Sequence, residues 1–314
     1  MISLGLVGYP LEHSFSPQLH LAALESLNME GSYLLFPVPP SPHGSRILAR
    51  VIQDLRQGRL QGLNVTIPLK QAVIDHLDAL TRDARMIGAV NTIYSDQGRL
   101  IGDNTDAAGF LSDLRSMMEF SPNSNSNVSF GKLALVLGAG GAARAIVYAL
   151  LQSGWRVKVA SRRLEQARRL QIDFERWVSV EGTLASRDNL EVRREQMNLD
   201  SEKISALPME EDQIKGLIST IDLLVNATPV GMWPIVDRSP WPAGVPLPDH
   251  ARVYDLVYNP PITHLVGSAR AHGLEAATGA GMLVEQAALA FERWTGLSAP
   301  RQVMRDTLEK LLYN

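Results

Sequence analysis

No cysteine occurs among the 314 residues, which removes disulfides, thiolate nucleophiles and cysteine-ligated metals and fits a reducing cytosol. Long apolar runs are missing too: none approaches the ~18 residues that a membrane-spanning helix needs. Charge of one sign is not in excess, with 30 basic against 33 acidic residues and a net charge of −3. Composition therefore offers no electrostatic case for nucleic-acid or membrane binding. The first residues, Met1 to Gly8, lack a basic segment and run into a strand-like stretch, so no cleaved signal is expected. Seven histidines lie scattered rather than clustered. Acid–base chemistry must then rest on lysine, aspartate or tyrosine. What remains is 45% hydrophobic and 20% charged, a globular composition long enough for two domains.

Present, and informative, is the run from Leu133 to Ala145. Five apolar residues ending at Leu137 read as a buried strand, Gly138, Gly140 and Ala143 supply a G-x-G-x-x-A turn, and Ala142–Leu151 continues as an apolar helix. That order lets a pyrophosphate sit on a helix N-terminus with no Cβ in the way. A second strand is expected at Arg156–Ala160, followed by Ser161-Arg162-Arg163, with no acid before Glu165. An acid there would grip a ribose diol, whereas arginine accommodates a 2′-phosphate, so NADP is favoured over NAD. The arginines also read as solvated residues opening a helix. About 130 residues precede the turn, and the partner of the cofactor is expected to bind to them.

In that upstream block, strand-like and helix-like segments alternate, which predicts βαβ units and a mainly parallel sheet. Strands are expected at Ile2–Val7, Tyr33–Val38, Gly62–Ile67, Ala89–Tyr94 and Arg99–Gly102, and helices at Pro17–Leu27, Ile47–Gln57, Gln71–Leu80 and Asp106–Met118. Ser121–Asn127 reads as an exposed linker and Glu175–Lys215 as an irregular, charged surface insertion. Met282–Thr295 and Gln302–Tyr313 carry helical patterns; which domain they pack on is left open by the pattern.

Four polar clusters stand beside the expected strand ends. In the stretch Gly8 to Pro17, two serines precede a proline suited to begin a helix. Ser16 reads as the helix N-cap or as a ligand's hydrogen-bond partner, while Ser14 has no capping duty. In Gly62 to Lys70, Asn64 and Thr66 share a strand face and Pro68 ends the ladder, so that Lys70 opens the next helix. The helix dipole slightly disfavours a lysine there, and its clustering with Asn64 and Thr66 counts against an ordinary solvated lysine. Gly88-Ala-Val-Asn91-Thr92 and Gly102-Asp-Asn-Thr-Asp106 complete the set. Asp106 reads as an N-cap or as the partner of Lys70. Both fall at C-terminal strand ends, where open α/β sheets bind ligands. An amine–carboxylate pair ringed by Ser, Asn and Thr suits a polyhydroxylated substrate. Downstream, Asn226-Ala-Thr228-Pro-Val-Gly-Met232 forms a second cofactor-facing loop, Tyr258 stands at another strand end, and Gln286 lies on the polar side of the closing helix.

Taken together, HSFSP at 13–17, NVTIPLK at 64–70, GAVNT at 88–92, GDNTD at 102–106, GAGGAARA at 138–145, NATPVGM at 226–232 and GML-x-x-Q at 281–286 resemble the shikimate dehydrogenase family. The resemblance implies a cytoplasmic enzyme that reduces 3-dehydroshikimate to shikimate with NADPH and needs no metal. Ser14, Ser16, Asn64, Thr66, Asn91, Asp106, Tyr258 and Gln286 would hold the substrate. Lys70 would exchange the proton at the reacting oxygen and Asp106 would orient it. Gly138, Ala139, Gly140, Gly141 and Ala142 would bind the pyrophosphate, Ser161, Arg162 and Arg163 the 2′-phosphate, and Thr228, Met232, Gly279 and Gly281 the rest of the cofactor. The fold implied is α/β, with residues 1–105 and 283–314 forming the substrate domain and 106–282 a Rossmann-like NADP domain. The last helices would return to the first domain, and the interdomain cleft would be the active site. A monomer or homodimer is expected.

Against Lys70, Asp106 favours the charged form and desolvation the neutral one, a balance left open. The chain departs from the family at Leu21, where asparagine is frequent, at Ser161–Arg163, and in the length of 175–215. A quinate or shikimate dehydrogenase with relaxed NAD/NADP use is the neighbouring alternative. A catalytically idle nucleotide sensor is the alternative of another class, and intact Lys70 and Asp106 argue against it.

Overall fold

In the computed structural model, which describes residues 1–39, 44–119, 132–185 and 203–313, strand β1 (Ile2–Gly8) sends Leu4 and Leu6 into one core and Val7 into another. This is the period-two alternation of a strand covered on both faces. Helix α1 (Ser16–Ser26), β2 (Gly31–Pro37), α2 (Gly44–Arg56), β3 (Gly62–Val65), β4 (Ala79–Leu80), α3 (Arg82–Ile87), β5 (Thr92–Asp96), β6 (Arg99–Asp103) and α4 (Asp106–Glu119) follow. The sheet order is β2-β1-β3-β5-β6-β4. β1 runs parallel to β2 and β3, and β4 parallel to β6. β5 is antiparallel to both β3 and β6.

Several local expectations shift: β5 starts at Thr92 rather than Ala89, for example. The helix expected over Gln71–Leu80 is a short 3-10 turn at Ala72–His76 followed by β4. Pairing with β6 overrides the helical spacing: Asp78 N donates to Leu100 O at 3.0 Å, and the Asp78 carboxylate takes Leu100 N and Arg56. β3 ends at Val65 rather than Ile67, because Thr66 N bonds Val7 O and Leu69 N closes a turn onto Thr66 O. Helix α3 was not anticipated. Thr81 caps it by accepting from Ala84 N, and Gly88, at φ 67°, closes it.

The next strands and helices are β7 (Leu133–Leu137), α5 (Gly141–Gln152), β8 (Arg156–Ser161), α6 (Leu164–Ala185), β9 (Ile204–Pro208), α7 (Glu211–Lys215), β10 (Leu223–Asn226), β11 (Arg252–Asp255), α8 (His264–Ala271) and β12 (Ala276–Thr278). Their sheet order, β12-β11-β10-β7-β8-β9, is parallel throughout. This is the doubly wound, Rossmann-like arrangement, with the chain reversing direction of growth between β7 and β10. Every residue of β7 and β10 is buried, as strands covered on both faces require. The region expected to be irregular, 175–215, holds the end of α6, edge strand β9 and α7. Residues 186–202 of it, and the expected linker Ser121–Asn127, lie outside the described residues.

Helices α9 (Ala280–Thr295) and α10 (Arg301–Tyr313) belong to the first unit. Val284, Ala287, Ala288 and Phe291 of α9 and Met304 and Leu308 of α10 pack with Leu19, Ala23 and Leu24 of α1 against Leu4 and Leu6. Gly62 admits the Trp294 ring where any Cβ would lie 2.4 Å from it, and Trp294 Nε1 donates to Ile93 O at 3.0 Å. The two compact units are Met1–Asp113 with Ala280–Asn314, and Leu114–Gly279. Asp106 and Gly281, which the sequence reading assigned to 106–282, thus fall within the first unit. The physical reason is that the first turns of α4 and α9 bury against that unit's own elements, with Gly109 against Gln286 and Gly281 against Asp113. Among the described residues, no helix is long and apolar enough to cross a membrane.

Candidate active site

The antiparallel direction of β5 assembles the first part of the site. Because β5 opposes β3 and β6, its start lies at the sheet edge where β3 and β6 end. Asn91 precedes β5, Lys70 follows β3 and Asp106 follows β6, so three segments deliver their polar side chains to one edge. Lys70 Nζ donates to Asp106 Oδ2 at 2.5 Å, and Asn91 Nδ2 donates to Asp106 Oδ1 at 2.9 Å. Asn64 Nδ2 points to Asn91 O at 3.2 Å. Helix α9 brings in Gln286, whose Oε1 lies 3.3 Å from Asn91 Nδ2 and whose backbone oxygen accepts from Thr105 Oγ1 at 3.0 Å. Lys70, Asp106, Asn91, Asn64 and Gln286 therefore form one hydrogen-bonded group. The side chains of Lys70 and Asp106 are only 13% and 6% exposed, so the pair is shielded from screening by water and salt.

Of the two readings open for Asp106 and for Ser16, the capping one is not realised. Asn104 Oδ1, not Asp106, accepts from the backbone N–H groups of Asp106 and Ala107 at the start of α4. That leaves both Asp106 oxygens for Lys70 and Asn91, while its negative charge still sits favourably at the helix N-terminus. Similarly, Ser16 is the first residue of α1 and caps nothing, whereas Ser14 Oγ accepts from Ser16 N at 3.3 Å. Ser14 thus has the local duty that the sequence denied it. Thr66 lies in the turn after β3 rather than within the strand, and packs its methyl where a Cβ on Gly8 would stand, at 2.3 Å.

Behind Asn64 stand residues that the sequence reading did not single out. Tyr33 Oη donates to Asn64 Oδ1 at 2.8 Å, and the Tyr33 ring stacks on His20 with centroids 4.7 Å apart. His20 is fully buried, and neither ring nitrogen makes a well-formed hydrogen bond, although Asn64 stands close enough to oppose the effect of burial weakly. Burial lowers its pKa to about 3, so the ring is neutral. On the other side, Asp103 accepts from Thr81 Oγ1 at 2.7 Å and from Arg293 Nε at 2.9 Å, which ties α9 to the segment carrying Asp106.

The second unit carries the glycine turn. Gly138 has φ 109° and its N–H bonds Ala160 O at 2.8 Å. A Cβ there would be strained and would lie 3.0 Å from Ala227 O. Gly140 is exposed, takes the N-cap position of α5 without a side-chain cap, and faces open space where a Cβ would stand. The first intrahelical bond runs from Arg144 N to Gly140 O, so the N–H groups of Gly141, Ala142 and Ala143 precede the ladder. Gly141 and Ala142 are half-buried, as is Ala139. Free amides at a helix N-terminus of this kind suit a phosphate group. Ser161 ends β8 with its Oγ accepting from Arg163 N at 3.3 Å, and Arg162 and Arg163 are exposed beside it. These residues fit a dinucleotide with a 2′-phosphate. Thr228 is held by Asn226 Oδ1, Met232 follows in the same loop, and Tyr258 and Gly279 follow β11 and β12. Gly279 cannot carry a Cβ, which would stand 2.3 Å from Leu256 O. Among the described residues, no group of three or more His, Asp or Glu is placed to hold a metal ion.

Asn226 and Asp255 both end strands, and their pairing, which spans 29 residues, has no local signal in the sequence. Thr105, within the GDNTD stretch, carries no local signal of its bonds to Asn91 and Gln286 either.

Two family models match the chain: the shikimate dehydrogenase substrate binding domain over residues 6–93 and the shikimate 5'-dehydrogenase C-terminal domain over 279–309. The chain is 39% identical over 305 residues to the shikimate dehydrogenase (NADP(+)) of Methanopyrus kandleri, covering 97% of this chain and 93% of that protein. Shikimate 5-dehydrogenase from Thermus thermophilus, crystallised with NADP(H) and shikimate, superposes with a TM-score of 0.76 at 35% identity and 99% coverage of both chains. Quinate dehydrogenase from Corynebacterium glutamicum, in complex with NAD, superposes with a TM-score of 0.77 at 31% identity, over 98% of this chain and 99% of that one.

Proposed function

The chain belongs to the shikimate dehydrogenase family, and from that premise we propose that its Lys70–Asp106 pair moves the proton in the NADP-dependent interconversion of 3-dehydroshikimate and shikimate. The observation that carries the reading is the 2.5 Å bond from Lys70 Nζ to Asp106 Oδ2 inside a nearly closed polar group. When bound, the nicotinamide supplies the hydride donor and acceptor for the carbon at C3. The protein binds, orients and moves one proton.

In the reducing direction, the Lys70 ammonium gives a proton to the carbonyl oxygen as that oxygen gains charge, and solvent restores the proton afterwards. Asp106 holds Nζ at the place where the oxygen must arrive. Asn91 fixes Asp106 in turn, so that the carboxylate cannot swing with the lysine. Ser14, Ser16, Asn64, Thr66, Gln286 and Tyr258 offer hydroxyl and amide groups for the substrate's hydroxyls and carboxylate. Gly138–Ala142 take the pyrophosphate, and Ser161, Arg162 and Arg163 the 2′-phosphate, through backbone amides and charge-assisted bonds. Met232 and Gly281 flank the nicotinamide, and Thr228 and Gly279 complete the cofactor site. With this reading go a cytoplasmic setting and action on small molecules rather than nucleic acid.

A purified preparation assayed with shikimate and with quinate, each with NADP and with NAD, tests the reading. Shikimate with NADP is expected to be fastest. Equal or better rates with quinate and NAD would replace it by the quinate alternative, to which the structural similarity with the Corynebacterium glutamicum enzyme lends weight.

A further inference from the structure

Asp255 closes β11 with a side chain fully shut off from solvent. Three donors from three segments converge on its carboxylate. Oδ1 accepts from Asn226 Nδ2 at 2.7 Å and from Val257 N at 3.0 Å, and Oδ2 accepts from Thr263 Oγ1 at 2.7 Å. Thr263 is itself anchored, because it caps α8 by accepting from Val266 N at 3.2 Å. Asn226 passes the constraint onward. Its Oδ1 accepts from Thr228 N at 3.0 Å and from Thr228 Oγ1 at 2.7 Å, and Thr228 Oγ1 accepts from Val230 N at 3.2 Å. Leu256 N adds a bond to Asn226 O at 2.9 Å, and Trp233 N joins Asn259 O at 3.0 Å.

One carboxylate thus reaches two loops. Through Asn226 and Thr228 it orders the loop that carries Met232. Through Val257 it orders the loop that carries Tyr258. Burying a carboxylate without a cation is costly, and desolvation pushes its pKa up to about 6. An apolar side chain would fill the space without that cost, so packing does not account for an acid here. Two oxygens that receive three donors do, since no other side chain of this size accepts as many bonds.

We propose that Asp255 is a positioning residue for the reaction: through Asn226, Thr228 and Val257 it sets the register of the Met232 loop against the Tyr258 loop. The inference rests on the assignment of Met232 to the nicotinamide and of Tyr258 to the substrate. Asp255 acts through the loops.

The test compares the full-length chain with its Asp255→Ala, Asp255→Asn and Thr263→Val variants. It measures hydrogen exchange in peptides spanning 226–232 and 255–261, turnover of shikimate with NADP, and NADP affinity by titration. Exchange at Thr228, Val230 and Val257 is expected to accelerate at least about tenfold in Asp255→Ala, as local openings become cheaper. Turnover should fall by roughly 10- to 100-fold, the scale of a misplacement near 1 Å. NADP affinity should change less than about threefold, because the glycine turn and the arginines, which supply the phosphate contacts, lie outside the relay. Asp255→Asn keeps one accepting oxygen and should recover part of the turnover. Thr263→Val removes a single donor, should give a milder form of the same pattern, and serves if Asp255→Ala does not fold. Unchanged exchange in the variants would overturn the proposal, and so would faster exchange with turnover kept within about twofold, a change too small to mark lost alignment. Loss of NADP affinity in step with turnover would overturn it as well, by showing general damage. If the unaltered chain fails to oxidise shikimate, the functional reading falls, while exchange still decides whether Asp255 holds the two loops.

Discussion

Lys70 Nζ and Asp106 Oδ2 stand 2.5 Å apart although 36 residues separate them in the chain. The pair depends on β5 running against its neighbours, which brings the ends of β3 and β6 and the start of β5 to one edge. It also depends on Asn104 taking over the capping of α4, which releases Asp106 from that work. The lysine of the proposed proton transfer is held by that bond, with its side chain only 13% exposed.

Lys70→Ala is expected to lower turnover by about 10³-fold, in the middle of the range for a positioned acid–base group. NADP affinity should stay within a factor of about two, since no charge-assisted phosphate contact is removed. Steady-state kinetics beside a fluorescence titration of NADPH check this, and unchanged turnover would remove the lysine from the chemistry.

Arg162→Ala should weaken NADP by about 10- to 100-fold, the worth of one charge-assisted bond to phosphate, with NAD nearly unaffected. Arg162 is exposed and no acid stands beside it before Glu165. Titration with both cofactors decides the point. Equal weakening would make the arginine structural.

Tyr33→Phe removes the donor at 2.8 Å from Asn64 Oδ1 and leaves a buried acceptor unpaired. The expected cost is about 1–3 kcal/mol in unfolding free energy. A rise in KM for shikimate with little change in KM for NADP should accompany it, because Asn64 loses its fixed orientation. Urea unfolding and substrate-varied kinetics measure the two effects separately.

His20 makes a pH prediction of definite sign. Its folded pKa of about 3 lies below the ordinary 6.5 because the ring is buried. Near neutral pH the imidazole is uncharged in both states and contributes nothing. As pH falls through 6.5 the unfolded chain takes up a proton that the folded chain refuses, so stability drops by up to about 1.4 kcal/mol per pH unit until pH 3. At pH 5 this amounts to roughly 2 kcal/mol. His20→Phe keeps a ring against Tyr33 and cannot titrate, so its loss of stability between pH 7 and 5 should be smaller than that of the unaltered chain. Equal losses in chemical unfolding at the two pH values would refute the assignment.

Much of the site was readable because its pieces are contiguous. The strand, glycine turn and helix over 133–152 need only neighbouring residues, and φ 109° at Gly138 and the open side of Gly140 are what that order implies. The absence of an acid between Ala160 and Glu165 is equally local. Lys70 and Asp106 were legible as candidates, since each follows an apolar strand pattern. Capping was read less well. Asn104, Thr105 and Asp106 all lie within reach of the same first-turn amides, as do Ser14 and Ser16, and composition does not rank them.

Partnerships across the chain had no such trace. Asn91 meets Gln286 across 195 residues, Asp255 meets Asn226 across 29, and Tyr33 meets Asn64 across 31. Residue types, their spacing and the alternation of apolar positions set which elements form and which side chains are available, because propensity, capping and glycine conformation act over a few residues. Which of those side chains meet depends on strand order and direction. These follow from burying the apolar faces of all elements at once, as when Val284, Ala287 and Phe291 of the closing helix seat against Leu4 and Leu6 and bring Gln286 to Asn91. Burial is non-directional and long in range along the chain, so the polar pairs it creates leave no mark on the sequence around them.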